Sequence, residues 1–176
     1  VHGVQFDTAI FTNLTRDHLD YHGTMEEYYD AKRQLFSPEY LGVKSGSAVI
    51  NIDDGFGRRL AGEMPPSVTL TYGMDAAASL RATNITLASR QTTFTIEGHG
   101  APIPCRMPLI GAHNIYNALA AAGAALAMGI EHSQVAASLE TMPPVPGRLE
   151  QVDAGQPFNV VVDYAHTDDA LRNVLS

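Results

Sequence analysis

Residues 24–36, TMEEYYDAKRQLF, leave the backbone little choice. Thr24 followed by Glu27 has the spacing of a reciprocal helix cap. The hydroxyl accepts from the Glu27 N–H, and the carboxylate reaches back to the Thr24 N–H. Met25, Tyr28, Tyr29, Lys32, Leu35 and Phe36 then recur at i, i+3, i+4, i+7, i+10 and i+11, the stripe of a helix with one face on a core. Glu26, Asp30, Arg33 and Gln34 take the polar face. Lys32 stands inside the apolar stripe, which admits two readings. In one, the stem packs and the ammonium snorkels to water. In the other, the amine is functional: burial disfavours its charged form, and a neutral amine is a nucleophile. It can form a Schiff base, or take up carbon dioxide as a carbamate, an anionic metal ligand.

Just upstream, Ile10-Phe11-Thr12-Asn13-Leu14 reads as the end of a buried strand, followed by Asp17-His18, Asp20 and His22. Loops at the carboxyl ends of parallel strands hold ligands in α/β proteins. A histidine there, with an anion on the next helix, would suit Mg²⁺, which uses few protein ligands and keeps several waters. An ordinary loop hydrogen bond would also account for the Asp17-His18 pair.

The rest of the chain alternates. Ser47–Ile52 (SAVINI) is a β-branched apolar run that predicts a buried strand. Asp53-Asp54-Gly55 ends it, as a turn pair or an acidic site. A short helix over Phe56–Glu63, a break at Pro65-Pro66 and a strand over Ser67–Tyr72 follow, an order that suits a parallel sheet. Residues 84–87 and 92–97 alternate as half-exposed strands do. Gly98-His99-Gly100 is a turn with His99 solvated, and the prolines at 102, 104 and 108 make residues 101–109 edge-like. The expectation there is a small antiparallel sheet beside the main one. Gly111-Ala112-His113-Asn114-Ile115-Tyr116-Asn117 opens an Ala-rich helix of high propensity that ends near Gly129. Asn114 and Asn117 share a face of its first turns. Their amides can read a purine edge or serve as capping and packing groups. A helix over 132–141 capped around Ser133, a Pro143–Arg148 hinge and a buried strand over Phe158–Tyr164 complete the order. Asp163, at that strand's end, could meet a ribose hydroxyl, or the segment could cap a helix around Thr167.

Composition excludes several classes. A net charge of −8 and a pI of about 5.2 argue against a general nucleic-acid or membrane-surface binder. The single cysteine, Cys105, allows no internal disulfide and fits a reducing cytosol. Val1–Ile10 lacks the basic start and long apolar core of a signal peptide. The longest apolar run, Ala118–Ile130, is short of the ~20 residues a membrane helix needs. A cytoplasmic protein is expected.

Three segments closely resemble the Mur ligases: TNLTRDHLDYHGTMEEYYDAKRQLF, then GAHNIYNALAAA, then PGRLE with DYAHTDDAL. Their wording is nearest to the branch that extends UDP-MurNAc-L-Ala-D-Glu. The resemblance implies an α/β fold: a mostly parallel, P-loop-like sheet flanked by helices, the family's central ATPase domain, over residues 1–146. Residues 147–176 would be the hinge and start of a Rossmann-like C-terminal domain. It implies that Lys32 is carbamylated and with His18 binds Mg²⁺, and that the carbamate helps to place the ATP γ-phosphate. It assigns ATP contacts to His113, Asn114, Asn117, Arg148, Asp163 and His166, and places Thr12 and Asn13 towards the UDP-sugar. Asp168 stands where the family has proline; either suits a first helical turn.

The implied reaction is ATP-dependent amide formation in peptidoglycan precursor synthesis. An acyl phosphate of UDP-MurNAc-L-Ala-D-Glu is attacked by an amino acid, diaminopimelate or lysine, in a monomeric enzyme. Another Mur or folylpolyglutamate-type ligase, or a non-catalytic nucleotide-binding domain of the same fold, is the alternative. The chain holds no G-x-x-x-x-G-K-[ST] phosphate loop; the resemblance places that loop and the other acidic magnesium ligand upstream of Val1, and the substrate-selecting motif beyond Ser176. The chain is therefore expected to be an internal piece, without ATP turnover on its own.

Overall fold

A computed structural model describes residues 3–16, 19–41, 46–166 and 168–175. The parallel part of the sheet is built from β1 (Thr8–Phe11), β2 (Ser47–Asn51), β3 (Thr69–Gly73) and the start of β4 (Leu80–Leu87). These strands lie side by side in chain order, all parallel. β5 (Thr92–Glu97) and β6 (Ile103–Met107) extend the same sheet antiparallel. The antiparallel strands expected at the side are thus continuous with the main sheet. β6 is its edge, where Pro104 costs no ladder bond that an inner strand would need.

Helices cover both faces. On one lie α1 (Leu19–His22), α2 (Met25–Arg33) with a 3₁₀ turn at Gln34–Phe36, and α3 (Gly55–Glu63). On the other lie α4 (Ala112–Ala127) and α5 (His132–Thr141). The period-2 alternation of β2 shows the division: Ala48 and Ile50 pack with Phe11, Tyr29, Phe36 and Leu60, whereas Val49 packs with Ile115, Leu119 and Leu126. A strand buried on both faces needs a continuous apolar run, which is what SAVIN supplies. α4 comes very close to β2, since a Cβ on Gly123 would stand 2.7 Å from Val49 Cγ1.

The cap and stripe of α2 are as the spacing predicts. Glu27 N–H donates to Thr24 Oγ1 at 3.2 Å, and Thr24 N–H to Glu27 Oε2 at 3.1 Å. Tyr29 and Phe36 are buried, Met25, Tyr28, Lys32 and Leu35 half-buried, and the polar face is exposed. Three details differ from expectation. β4 begins at Leu80 and its register with β5 shifts between Thr83 and Thr86, where Asn84 takes a φ of 52°; asparagine tolerates that conformation better than most residues. Glu131, not Ser133, occupies the cap position of α5. The run Phe158–Tyr164 is not a buried strand: only β8 (Val161–Val162) forms, paired with β7 (Glu150–Gln151), and Phe158 and Tyr164 are 65% and 66% exposed. A β-branched run favours extended backbone, but burial needs a covering layer, and none lies on it among the described residues. α6 (Asp168–Leu175) follows. Among the described residues no helix is long and apolar enough to cross a membrane.

Candidate functional site

The carboxyl edge of the parallel strands is tied down by side chains of the loops that leave it. Asn51, the last residue of β2, donates from Nδ2 to the Thr12 carbonyl at 2.8 Å and accepts at Oδ1 from Asp53 N–H. Asp54 caps α3 through Gly57 N–H and also accepts from Leu14 N–H at 3.1 Å. The Asp53-Asp54 pair is therefore a turn-and-cap device. The Thr12 backbone is anchored, and the side chains of Thr12 and Asn13 are exposed at the strand end.

On the α4 side, three of the six residues expected to meet a nucleotide, His113, Asn114 and Asn117, sit in the first turns of the helix. Asn114 is buried, donates from Nδ2 to the Ile110 carbonyl at 2.8 Å, and accepts at Oδ1 from Asn117 Nδ2 at 3.1 Å. Asn117 is exposed. Of the two amides, Asn114 is thus an internal brace and Asn117 the one presented to solvent. Gly111, with a φ of 89°, lets the chain enter α4 beside His113 and Leu149; a Cβ there would stand 2.8 Å from His113 Cε1 and 3.1 Å from Leu149 Cδ1.

Leu149 carries the Pro143–Arg148 hinge into β7 with a φ of 44°, uncommon for a branched side chain. Its N–H donates to Asp163 Oδ2 at 2.8 Å, and Ala165 N–H donates to Asp163 Oδ1 at 2.7 Å. Burial pushes the Asp163 carboxyl up, but those two N–H groups and the positive charges of Arg148 and His113 outweigh it and hold the pKa below the ordinary value. Burial lowers the pKa of His113, and the nearby Asp163 opposes that. The Arg148 guanidinium lies over the Tyr164 ring at 5.2 Å, and Tyr164 meets His166 edge-on at 4.9 Å. Arg148, Asp163 and His113 are electrostatic neighbours, and His166 joins them through Tyr164.

This geometry makes a sign-specific prediction. Asp163 titrates lower in the folded chain than unfolded, so its stabilisation is present above the unfolded value of about 3.9 and is lost as pH falls through the lower folded value. Asp163→Asn should flatten that acid limb of the stability curve. It should also move the His113 imidazole pKa further down, read by NMR titration. An unmoved His113 would contradict the placement.

Lys32 is on the opposite face of the sheet. Its Nζ stands 5.1 Å from the centroid of the Tyr28 ring, and the His22 ring stacks on the same Tyr28 ring with centroids 4.4 Å apart. As an ammonium it is a cation–π donor; only as a carbamate would it be an oxygen ligand suited to Mg²⁺. Its expected partner His18, with Asp17, lies outside the described residues. Among the described residues no group of three or more His, Cys, Asp or Glu is placed to hold a metal ion. A cleft of about 690 Å³ between α2 and α3, lined by Arg33, Phe36, Leu60, Glu63, Met64 and Val68, contains none of the expected site residues.

Sequence reasoning missed three contributors. Tyr28 faces Lys32, Leu149 anchors Asp163, and Tyr116 donates to Asp53 Oδ2 at 2.9 Å. Tyr28 is four residues before Lys32 and was legible as a neighbour; the other two contacts join residues distant in sequence.

The sequence model of the Mur ligase middle domain matches residues 1–125. The chain belongs to the Mur ligase family. Among its curated relatives, the UDP-N-acetylmuramoyl-L-alanyl-D-glutamate–2,6-diaminopimelate ligase of Solibacter usitatus is 47% identical over 176 residues, 100% of this Mur ligase chain and 35% of the relative. Among solved structures, MurF from Acinetobacter baumannii superposes with a TM-score of 0.82 at 25% identity, covering 96% of this chain and 36% of that one. A UDP-N-acetylmuramoyl-L-alanyl-D-glutamate–2,6-diaminopimelate ligase superposes at 0.79 with 31% identity, covering 98% and 35%. This Mur ligase chain thus spans about a third of the length of the curated relatives it matches.

Proposed function

We propose that the protein containing this chain is an ATP-dependent amide ligase that adds diaminopimelate to UDP-MurNAc-L-Ala-D-Glu in the cytoplasm. Residues 1–146 would belong to its ATP-binding domain, and residues 147–176 would be the hinge and start of the next. The observation that carries the nucleotide part is the grouping of Asn117, His113, Arg148 and Asp163 around the entry to α4. An exposed amide held by a buried one suits a purine edge, which needs a donor and an acceptor in fixed orientation. Arg148, stacked on Tyr164, offers a planar cation for phosphate. Asp163, held ionised, suits a ribose hydroxyl. The names of the relatives carry the choice of substrates.

Carboxylate activation by ATP produces an acyl phosphate, which the amine then attacks. For this chain's own residues the work is holding and orienting. Asn117 and His113 place the base, Asp163 the sugar, and Arg148 and His166 the phosphate side. Thr12 and Asn13 face the UDP-sugar. Lys32 as a carbamate, with His18, would hold Mg²⁺, which would supply charge screening for the phosphates. Full-length protein given ATP, magnesium, UDP-MurNAc-L-Ala-D-Glu and diaminopimelate should release phosphate only when all are present. Release with lysine but not diaminopimelate would change the amino acid; no release with any amino acid would overturn the ligase reading.

A second variant belongs to the same reading. Asn114→Ala leaves the Ile110 carbonyl without a donor and Asn117 without its brace, at a cost of about 1–3 kcal/mol. The ATP Kd should rise in titration calorimetry, and the thermal midpoint should fall with the loss of stability.

A further inference from the structure

Asp53 does more than end β2. Its carboxylate lies under the end of β3, where Met74 N–H donates to Oδ2 at 2.6 Å and Asp75 N–H donates to Oδ1 at 3.2 Å. Gly73 leaves the space for it, since a Cβ there would stand 2.6 Å from Asp53 Oδ1. The third donor comes from another element: the Tyr116 hydroxyl, 2.9 Å from Oδ2. Burial and the Asp53 carboxylate push the Tyr116 pKa up to about 12, so the hydroxyl keeps the proton it donates. Tyr116 sits between Asn114 and Asn117 in the first two turns of α4. Those turns have no side-chain cap, because Gly111 occupies the cap position. A helix start without a capping side chain leaves its first N–H groups without that partner and is free to fray. Here two side-chain braces hold it: Asn114 to the Ile110 carbonyl, and Tyr116 to Asp53.

We propose that Asp53, acting through Tyr116, is a positioning residue for the nucleotide base. It pins the entry of α4 to the carboxyl edge of the sheet and thereby sets where the Asn117 amide stands. This rests on the reading that Asn117 meets the adenine. Neither Asp53 nor Tyr116 touches the ligand; their effect is on the orientation of the group that does.

The test uses the full-length protein. Tyr116→Phe removes one hydroxyl and keeps the ring in its place. The ATP KM should rise about tenfold, the loss expected for one hydrogen bond to a charged group, with kcat at saturating ATP falling less than about threefold. Discrimination should fall as well: the preference for ATP over inosine triphosphate, which lacks the 6-amino donor, should drop by roughly tenfold. A purely structural role would lower the thermal midpoint without moving that preference. Asp53→Asn disturbs three hydrogen bonds, so its own effect mixes stability with positioning. The double variant resolves this, because its KM should be no higher than that of Asp53→Asn alone. An ATP KM within about twofold of wild type in Tyr116→Phe, or an equal rise for both nucleotides, overturns the proposal. Asn117→Ala separates the two levels. If it raises the KM and Tyr116→Phe does not, the positioning role fails alone; if neither does, the adenine reading fails with it.

Discussion

Replacing Lys32 with alanine removes most of the ligase activity of the full-length protein, by about a hundredfold or more, the scale for losing a group that stabilises transferring charge. The protein stays folded. Lys32 is half-buried and its ammonium meets only a ring face in the contacts described, 5.1 Å from the Tyr28 centroid; such a contact contributes about 0.5–1 kcal/mol at an exposed site. Activity and stability should therefore separate. Lys32→Arg sharpens the point. Arginine keeps a cation over Tyr28 but does not form the carbamate, so the variant should be as inactive as alanine. A small free carboxylate such as acetate should restore part of the activity to Lys32→Ala, because it can occupy the place of the carbamate oxygens, and should do less for Lys32→Arg, whose guanidinium fills that place. Full activity in unsupplemented Lys32→Ala, measured as ATP-dependent phosphate release, would rule out the carbamate and return Lys32 to the snorkelling role that its helix position also allows.

Gly57→Ala should be strongly destabilising for a change of one methyl group. α3 begins so close to β2 that a Cβ on Gly57 would stand 1.9 Å from the Asn51 carbonyl oxygen, with the Phe11 ring at 3.3 Å. Neither neighbour can yield cheaply, since one is backbone at the end of β2, hydrogen-bonded between β1 and β3, and the other is buried. The helix must move instead. Its movement breaks the bond from Gly57 N–H to Asp54, and with it the hold of Asp54 on Leu14 N–H at the end of β1. The cost is about 3 kcal/mol, the upper end of overpacking. That corresponds to a fall in thermal midpoint of roughly 6–12 °C for a domain of this size. Gly62→Ala is the control. It lies on the same helix with open space around its Cβ, and should stabilise by about 0.5–1 kcal/mol, since alanine has the higher helix propensity. Equal melting temperatures for the two variants would show that α3 does not approach β2 as described.

Much of this was legible in the residues. Thr24, Glu27 and the Met25–Phe36 stripe specify α2 because capping and amphipathic spacing act within a few residues of one another. SAVIN specifies a strand buried on both faces because its run is unbroken, and the Ala-rich segment after Gly111 specifies α4. The family was legible as well, in three segments whose residue order is unusual. What was not legible shares one property: each depends on residues far apart in the chain. Asp53 and Tyr116 are brought together by the packing of α4 across the sheet. Asp163 receives Leu149 only because β7 and β8 pair just after the hinge. The Asn114–Asn117 pair looked like two equal amides in sequence; burial made one a brace and left the other exposed. The strand read over Phe158–Tyr164 fails for the same reason, since a β-branched run sets the backbone preference of its own residues and says nothing of what covers them. Local hydrogen bonding and periodicity thus determined the elements and the candidate residues. Which of those residues touch, which are buried and which face solvent was decided only when the sheet and its two helical layers closed on one another, because burial and long-range contact are properties of the packed chain.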